Sequence, residues 1–257
     1  MKPAPLDYVR AGRVEQAAGA LAAADGEGKI IAGGQSLMPM LALRLAQPAV
    51  LVDISRIPGL ASIQPVGRGW AAGRRSHPAP RAGRAAQHRL LAEAARWIGH
   101  AAIQTRGTLG GSLAHADPAA ALPVVAVAAD AVALVAGPGG PRTIAAADLF
   151  TGALQTSLAD DELIVAVDFP GLGRWGFAEF ARPRPRPCWP RGHSVTRGSP
   201  QRPRVPAGRR VRGQQLRHLL IRSVRNIGSP HPGSVRPPLP RSELTKRSRR
   251  NYREMSE

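Results

Sequence analysis

Lys29-Ile30-Ile31-Ala32-Gly33-Gly34-Gln35-Ser36-Leu37 is the stretch that decides how this chain folds. Its first four residues form an apolar run of the length of a short buried strand. From Ser36 to Arg44 the pattern is helical, with Ser36 placed as N-cap and Pro39 in the first turn. Between the two elements, adjacent glycines let backbone N–H groups approach an anion with no Cβ in the way. A strand, a glycine loop and a helix N-terminus make a phosphate site by geometry and dipole together.

A second stretch of the same chemistry, Thr108-Leu109-Gly110-Gly111-Ser112, lies about seventy residues further on. Neither stretch is a G-x-G-x-x-G dinucleotide fingerprint, and neither carries the Lys of a P-loop. Taken singly, each glycine pair reads as a turn. Taken together, they predict two halves of one cradle, with a cofactor diphosphate held by loops from two places in the chain.

Around these motifs the elements are legible. The pattern predicts a helix over 13–24, a strand over 50–54 and a helix over 87–100 whose Leu90, Leu91, Ala94, Trp97 and Ile98 share one core-facing stripe. A further helix is expected over 118–129, with Asp117 as N-cap and Pro118 at its first position. Residues 132–135 and 142–144, joined across Gly137-Pro138-Gly139-Gly140, read as a hairpin, and 163–169 as a last strand.

Three runs, KPAPLDYVRAGRVEQAAGALAA from residue 2, KIIAGGQSLMPMLALRLAQPAVLVDISRIPGL from residue 29 and LLAEAARWIGHAAIQTRGTLGGSLAHADPAAALP from residue 90, carry a family resemblance. They resemble the FAD-binding medium subunit of the molybdenum hydroxylases, of the aerobic carbon monoxide dehydrogenase and xanthine dehydrogenase type. The resemblance covers residues 2 to about 70 and 86 to about 181. It implies an α+β fold, a two-subdomain FAD-binding domain of the PCMH (vanillyl-alcohol-oxidase-like) type, with subdomains at 1–57 and 58–181 closing on the cofactor. It also implies partners: an iron–sulfur small subunit that delivers electrons, and a large subunit that oxidises substrate at a molybdenum cofactor. FAD would pass those electrons to an external acceptor.

The resemblance assigns cofactor-binding roles to Ala32, Gly33, Gly34, Gln35, Ser36 and Leu37 in the first motif, and to Thr108, Gly110, Gly111 and Ser112 in the second. Asp117, in H-A-D-P-A-A, becomes an acceptor for a ribose or ribityl hydroxyl, although helix capping explains it equally well. Leu163, in D-E-L-I, would pack near the flavin ring, and is also an ordinary core residue. His100 and His115 read as structural or flavin-neighbouring groups, because two histidines without a third ligand at metal-binding spacing do not make a metal site. No paired carboxylates or nucleophile–base constellation is legible in the first 180 residues, so no catalytic residue is assigned. A flavin does its own redox chemistry, and the protein needs only to hold and tune it.

The chain has 257 residues and a formal charge of +19. That charge is unevenly spread: residues 1–180 carry 16 Lys+Arg against 14 Asp+Glu, and residues 181–257 carry 20 against 3. Two stretches also depart from the family. Residues 71–85 read AAGRRSHPAPRAGRA where a strand and turn are expected, and from 182 a Pro- and Arg-rich segment stands in place of a third, C-terminal domain. Two readings stay open: a shifted reading frame near 182 with a compensated pair around 71–85, or a genuine basic tail. Either composition is too poor in apolar surface to offset chain entropy, so no folded domain is expected there.

The single cysteine, Cys188, excludes a disulfide framework and an iron–sulfur cluster supplied by this chain alone. No apolar run of membrane-spanning length and no secretory leader is legible, which makes the cytoplasm the expected location. The alternatives from other classes are a basic nucleic-acid-binding protein and a stand-alone flavin oxidase. The first is weakened by the tail's two aromatics, Trp189 and Tyr252, too few for a base-stacking platform.

Overall fold

Short apolar strands alternating with helices open the chain: β1 (Asp7–Arg10), α1 (Val14–Ala23), β2 (Gly28–Ile31), α2 (Leu37–Ala42) and β3 (Val50–Asp53). The computed structural model describes residues 2–66, 69–73, 89–170, 175–180 and 192–197. The three strands form a parallel sheet in the order β1-β3-β2. Parallel neighbours need a crossover, and the two helices supply it. The Ala-rich α1 buries Ala17, Ala18 and Leu21.

One polar cluster fastens this sheet. The Tyr8 hydroxyl donates to the Asp53 carboxylate, the Ser55 N–H donates to it at 2.7 Å, and Arg10 stands 3.9 Å away. Burial raises the Asp53 carboxyl, but the hydrogen bonds from Tyr8 and Ser55, with Arg10 beside them, outweigh it and hold the group below its ordinary value.

The second sheet has the order β4-β5-β10-β6-β7 and is antiparallel throughout, built from β4 (Ile63–Val66), β5 (Gly69–Gly73), β6 (Val132–Gly137), β7 (Gly140–Ala145) and β10 (Leu163–Phe169). Between β5 and β6 run α3 (Arg89–Arg96), α4 (Ala101–Gln104), α5 (Leu109–His115) and α6 (Ala121–Ala128). Both faces of this sheet are covered. In β6, Ala133 and Val135 join the core under α3, α5 and α6, while Leu134 and Ala136 join the core under α1. That alternation is the two-residue period of a strand. In β10 a bulge between Ile164 and Ala166 breaks the period, so Val165 and Ala166 both fall in the α1-side core. A strand with two dry faces is apolar along its length, which is why 163–169 is legible as a run.

Several expectations are corrected. The helix read over 87–100 covers Arg89–Arg96 among the described residues. Beyond it the backbone tightens to Trp97 N–H···O Ala94 and Ile98 N–H···O Ala95, and Gly99 takes φ +50°, a left-handed stop. The tightening turns Trp97 off the stripe of Leu90 and Ala94, leaving it 46% exposed where a core position was expected. The helix read over 118–129 begins at Ala121, with Ala120 as N-cap. Asp117 caps a turn instead: its carboxylate accepts the Ala119 N–H at 2.8 Å and its carbonyl the Ala120 N–H at 3.0 Å, competing with helix start.

The two departures from the family pattern lie mostly outside the described residues, but each is corrected at one point. Residues 71–73 belong to β5, paired with β4 and β10. Beyond residue 182, where no folded domain is expected, β12 (Gly192–Arg197) pairs antiparallel with β11 (Trp175–Phe180) and runs close to α6. The remaining elements are α7 (Ala146–Leu149) and the small pair β8 (Phe150–Gly152) and β9 (Gln155–Thr156). Among the described residues no helix is long and apolar enough to cross a membrane.

Candidate functional site

The loop after β2 leaves the carboxyl end of a parallel strand, the place where open α/β sheets hold ligands. Gly33 packs so tightly that a Cβ would lie 2.0 Å from the carbonyl oxygen of Arg106, which no side chain tolerates. The first glycine motif therefore rests directly on the backbone that enters the second. Gly34 has φ +72°, a left-handed conformation that favours glycine, and a Cβ there would also stand 3.1 Å from Met38 Cγ. Gln35 folds back to donate to the Gly33 carbonyl at 3.3 Å. Ser36 does not cap as expected: its backbone is already helical, because the Met38 N–H reaches back to the Gly34 carbonyl at 3.0 Å, and its side chain makes no capping bond.

The second motif is not a loop but a helix start. Thr108 is the N-cap of α5, extended in backbone, and its hydroxyl accepts the Gly111 N–H at 3.2 Å. Gly110, Gly111 and Ser112 are thus first-turn residues, despite the cost of two glycines in a helix. Burial of Leu109 and Leu113 in the core outweighs that cost. Gly111 keeps the cap intact, since a Cβ would meet Thr108 Oγ1 at 2.5 Å, and it faces Ala32 of the first motif.

The two motifs share the wall of one cleft of about 820 Å³, within the roughly 300–1,000 Å³ usual for cofactor and small-molecule sites. All twelve residues singled out from the sequence line it, from Ala32 through Leu37, Thr108, Gly110, Gly111 and Ser112, to Asp117 and Leu163. Asp117 spends one carboxylate oxygen on Ala119, and its other oxygen has no partner among the described residues. His115 lines the cleft as well, whereas His100 serves as the backbone N-cap of α4.

Trp97, Gly107 and the segment before β10, with Leu158, Asp160 and Glu162, also line the cleft and were not singled out as site residues. Gly107 had a signal, as the first of the three glycines in T-R-G-T-L-G-G-S; a Cβ there would stand 3.0 Å from the Ile103 carbonyl oxygen. In the segment before β10, the D-E-L-I motif was read for Leu163 alone, and nothing local marks Leu158 or Asp160.

Chemically the cleft offers first-turn backbone N–H groups, the hydroxyls of Ser36 and Ser112, a free carboxylate oxygen on Asp117, and apolar walls from Leu37, Trp97, Leu158 and Leu163. Glycines keep Cβ atoms out of the cradle. This set fits an elongated ligand with an anionic middle, hydroxyls and flat apolar ends, and FAD is such a ligand. Among the described residues, no three His, Cys, Asp or Glu side chains are grouped to hold a metal ion.

Residues 4–172 match the family model described as the FAD binding domain in molybdopterin dehydrogenase. The chain is 44% identical over 188 residues to the 6-hydroxypseudooxynicotine dehydrogenase complex subunit alpha of Paenarthrobacter nicotinovorans, covering 71% of this chain and 64% of that protein. It is 34% identical to the carbon monoxide dehydrogenase medium chain of Hydrogenophaga pseudoflava, covering 71% of this chain and 66% of the other. Among solved structures it resembles quinoline 2-oxidoreductase from Pseudomonas putida 86, with a TM-score of 0.68 at 33% identity over 71% of this chain and 65% of that one. The chain thus matches about two thirds of the length of these relatives.

Proposed function

The chain belongs to the family of FAD-binding domains of molybdopterin dehydrogenases, and from that membership we propose that the cleft between its two glycine motifs holds FAD and that the protein is the flavin-carrying, medium-type subunit of a carbon monoxide dehydrogenase-like molybdenum hydroxylase. The observation that carries this reading is the contact at Gly33, where the first motif lies against Arg106 and leads straight into the second. Two stretches some seventy residues apart in sequence become one surface of backbone donors.

In this reading the backbone of 33–36 and the first turn of α5 hold the diphosphate, with Ser36 and Ser112 as side-chain donors. Asp117 accepts from a ribose or ribityl hydroxyl with the oxygen that Ala119 leaves free. Leu163 flanks the flavin ring. When bound, FAD supplies the redox chemistry, accepting electrons and passing them to an external acceptor. The chain's own residues bind, orient and shield it; none transfers a proton to a substrate.

The same reading extends to the finer architecture and the assembly. Residues 1–57 and 58–181 are the two subdomains of a PCMH-type domain. An iron–sulfur subunit delivers electrons, and a molybdenum-cofactor subunit oxidises the substrate. The test is direct: the full chain, purified and titrated with FAD, is expected to bind it in one-to-one stoichiometry, with quenching of flavin fluorescence. Absence of binding in the parent protein would remove the reading.

A further inference from the structure

At the edge of the cleft, in the segment that precedes β10, Glu162 is gripped from three directions. Arg142 of β7 donates twice to it, Nε to Oε1 at 2.5 Å and Nη2 to Oε2 at 2.7 Å. The Ala159 N–H donates to Oε2 at 2.8 Å. On the third side a Cβ at Gly137 would stand 2.9 Å from Glu162 Cγ, so glycine there is what lets the stem of Glu162 sit against β6.

Arg142 holds more than the carboxylate. Its Nη2 also donates to the Ser157 carbonyl at 3.1 Å. Ser157 is in turn fixed to the residues before it: its N–H donates to the Leu149 carbonyl at 2.9 Å and its hydroxyl to the Asp148 carbonyl at 2.9 Å. One guanidinium therefore spans both ends of 157–162. That segment, through Leu158, Ala159, Asp160 and Glu162, and the Leu163 that follows, make one wall of the cleft, whereas Arg142 does not line it.

Most ion pairs at a protein surface contribute little, because water competes and two flexible side chains must be ordered. This pair differs in geometry. The fork is bidentate, the carboxylate side chain is only 11% exposed against 47% for the guanidinium, and the backbone N–H completes the acceptor set. Among the described residues no sheet pairing holds 157–162, since β9 ends at Thr156 and β10 begins at Leu163; besides Arg142 it is held by the two Ser157 bonds, by the Glu162 N–H to the Ala159 carbonyl at 3.1 Å and by Leu158 packing on the core.

We propose that Arg142 is a positioning residue for the cofactor: by locking Glu162 and Ser157 from outside, it sets the wall of the cleft, so that FAD affinity depends on a side chain that does not touch the cleft. The inference rests on the cofactor reading given above. It assigns to Gly137, Arg142 and Glu162 a role that neither glycine motif supplies.

The test uses the full chain and FAD itself as probe, with affinity read from flavin fluorescence and the mobility of 157–163 read from amide hydrogen exchange. Arg142→Met is expected to weaken FAD binding about tenfold, the equivalent of roughly 1.4 kcal/mol, and to speed exchange in 157–163. Arg142→Lys keeps the charge but not the fork, and should fall between parent and Met variant. Glu162→Gln keeps the shape and should weaken binding too; it carries the test should the Met variant fail to fold. If FAD affinity is unchanged in the folded Lys and Gln variants while only thermal stability drops, Arg142 is merely structural and the inference is wrong. If the parent binds no FAD, the cofactor reading falls and takes the inference with it.

Discussion

Gly33 and Asp117 show what single residues contribute to the cleft. At Gly33 the constraint is contact: the space a Cβ needs is filled by the Arg106 carbonyl. Gly33→Val must push the two motifs apart. It is expected to cost about 1–3 kcal/mol, as overpacking does, and to abolish FAD binding; unchanged flavin content in the purified variant would count against a shared cradle. Asp117 has two jobs that one substitution separates. Asp117→Asn keeps an acceptor for the Ala119 N–H but removes the charge, so stability should hold while FAD affinity falls by about 1 kcal/mol, or roughly fivefold in Kd. An equal drop in thermal midpoint would show that the turn is its main role. Thr108 adds a third case, visible only in the structure. Its hydroxyl caps α5, and Thr108→Val should cost about 1 kcal/mol in chemical denaturation.

At the level of elements, legibility in the sequence followed burial. β10 was readable over 163–169 because its two faces are both dry, and α1 because its alanines repeat at helical spacing. The end of α3 was not readable, since the tightening at Trp97 and the left-handed Gly99 depend on where the chain must go next rather than on local pattern. The helical state of Gly110 and Gly111 was hidden for a related reason: propensity argues against it, and the cap and the core override propensity. The Arg142–Glu162 pair joins β7 to the segment before β10, residues twenty apart, and no spacing rule exposes it. Its electrostatics give a prediction for the segment. The Arg142 guanidinium holds the Glu162 carboxyl below its ordinary 4.5, against the opposing effect of burial and with help from the Ala159 N–H. The unfolded chain then takes up that proton more readily than the folded one, so the pair's stabilisation is whole above pH 4.5 and is lost as pH falls through the lower folded value. The thermal midpoint of the parent should therefore drop more steeply in acid than that of Glu162→Gln; parallel curves would show that the pair adds nothing.

For the whole molecule, the five-stranded sheet is the layer on which both cores depend. Leu134 faces the α1-side core and Val135 the helices α3, α5 and α6, so the cleft between the two glycine motifs is framed by a sheet packed on both sides. Leu134→Ala is expected to destabilise the protein by about 2–5 kcal/mol, the range for a fully buried leucine, as measured by denaturant unfolding. The cleft itself was legible as a pair of motifs, and the twelve residues singled out lie together; of the wall before β10 only Leu163 was read from the sequence, and Leu158, Asp160 and Glu162 became visible as lining in three dimensions.

The central claim is that the two glycine motifs form one FAD site, and amide hydrogen exchange of the full chain with and without FAD tests it most directly. Peptides covering 32–38 and 107–113 should both gain protection on adding FAD, with 157–163 protected alongside them. Protection of one motif without the other, or of neither, would contradict the shared cradle.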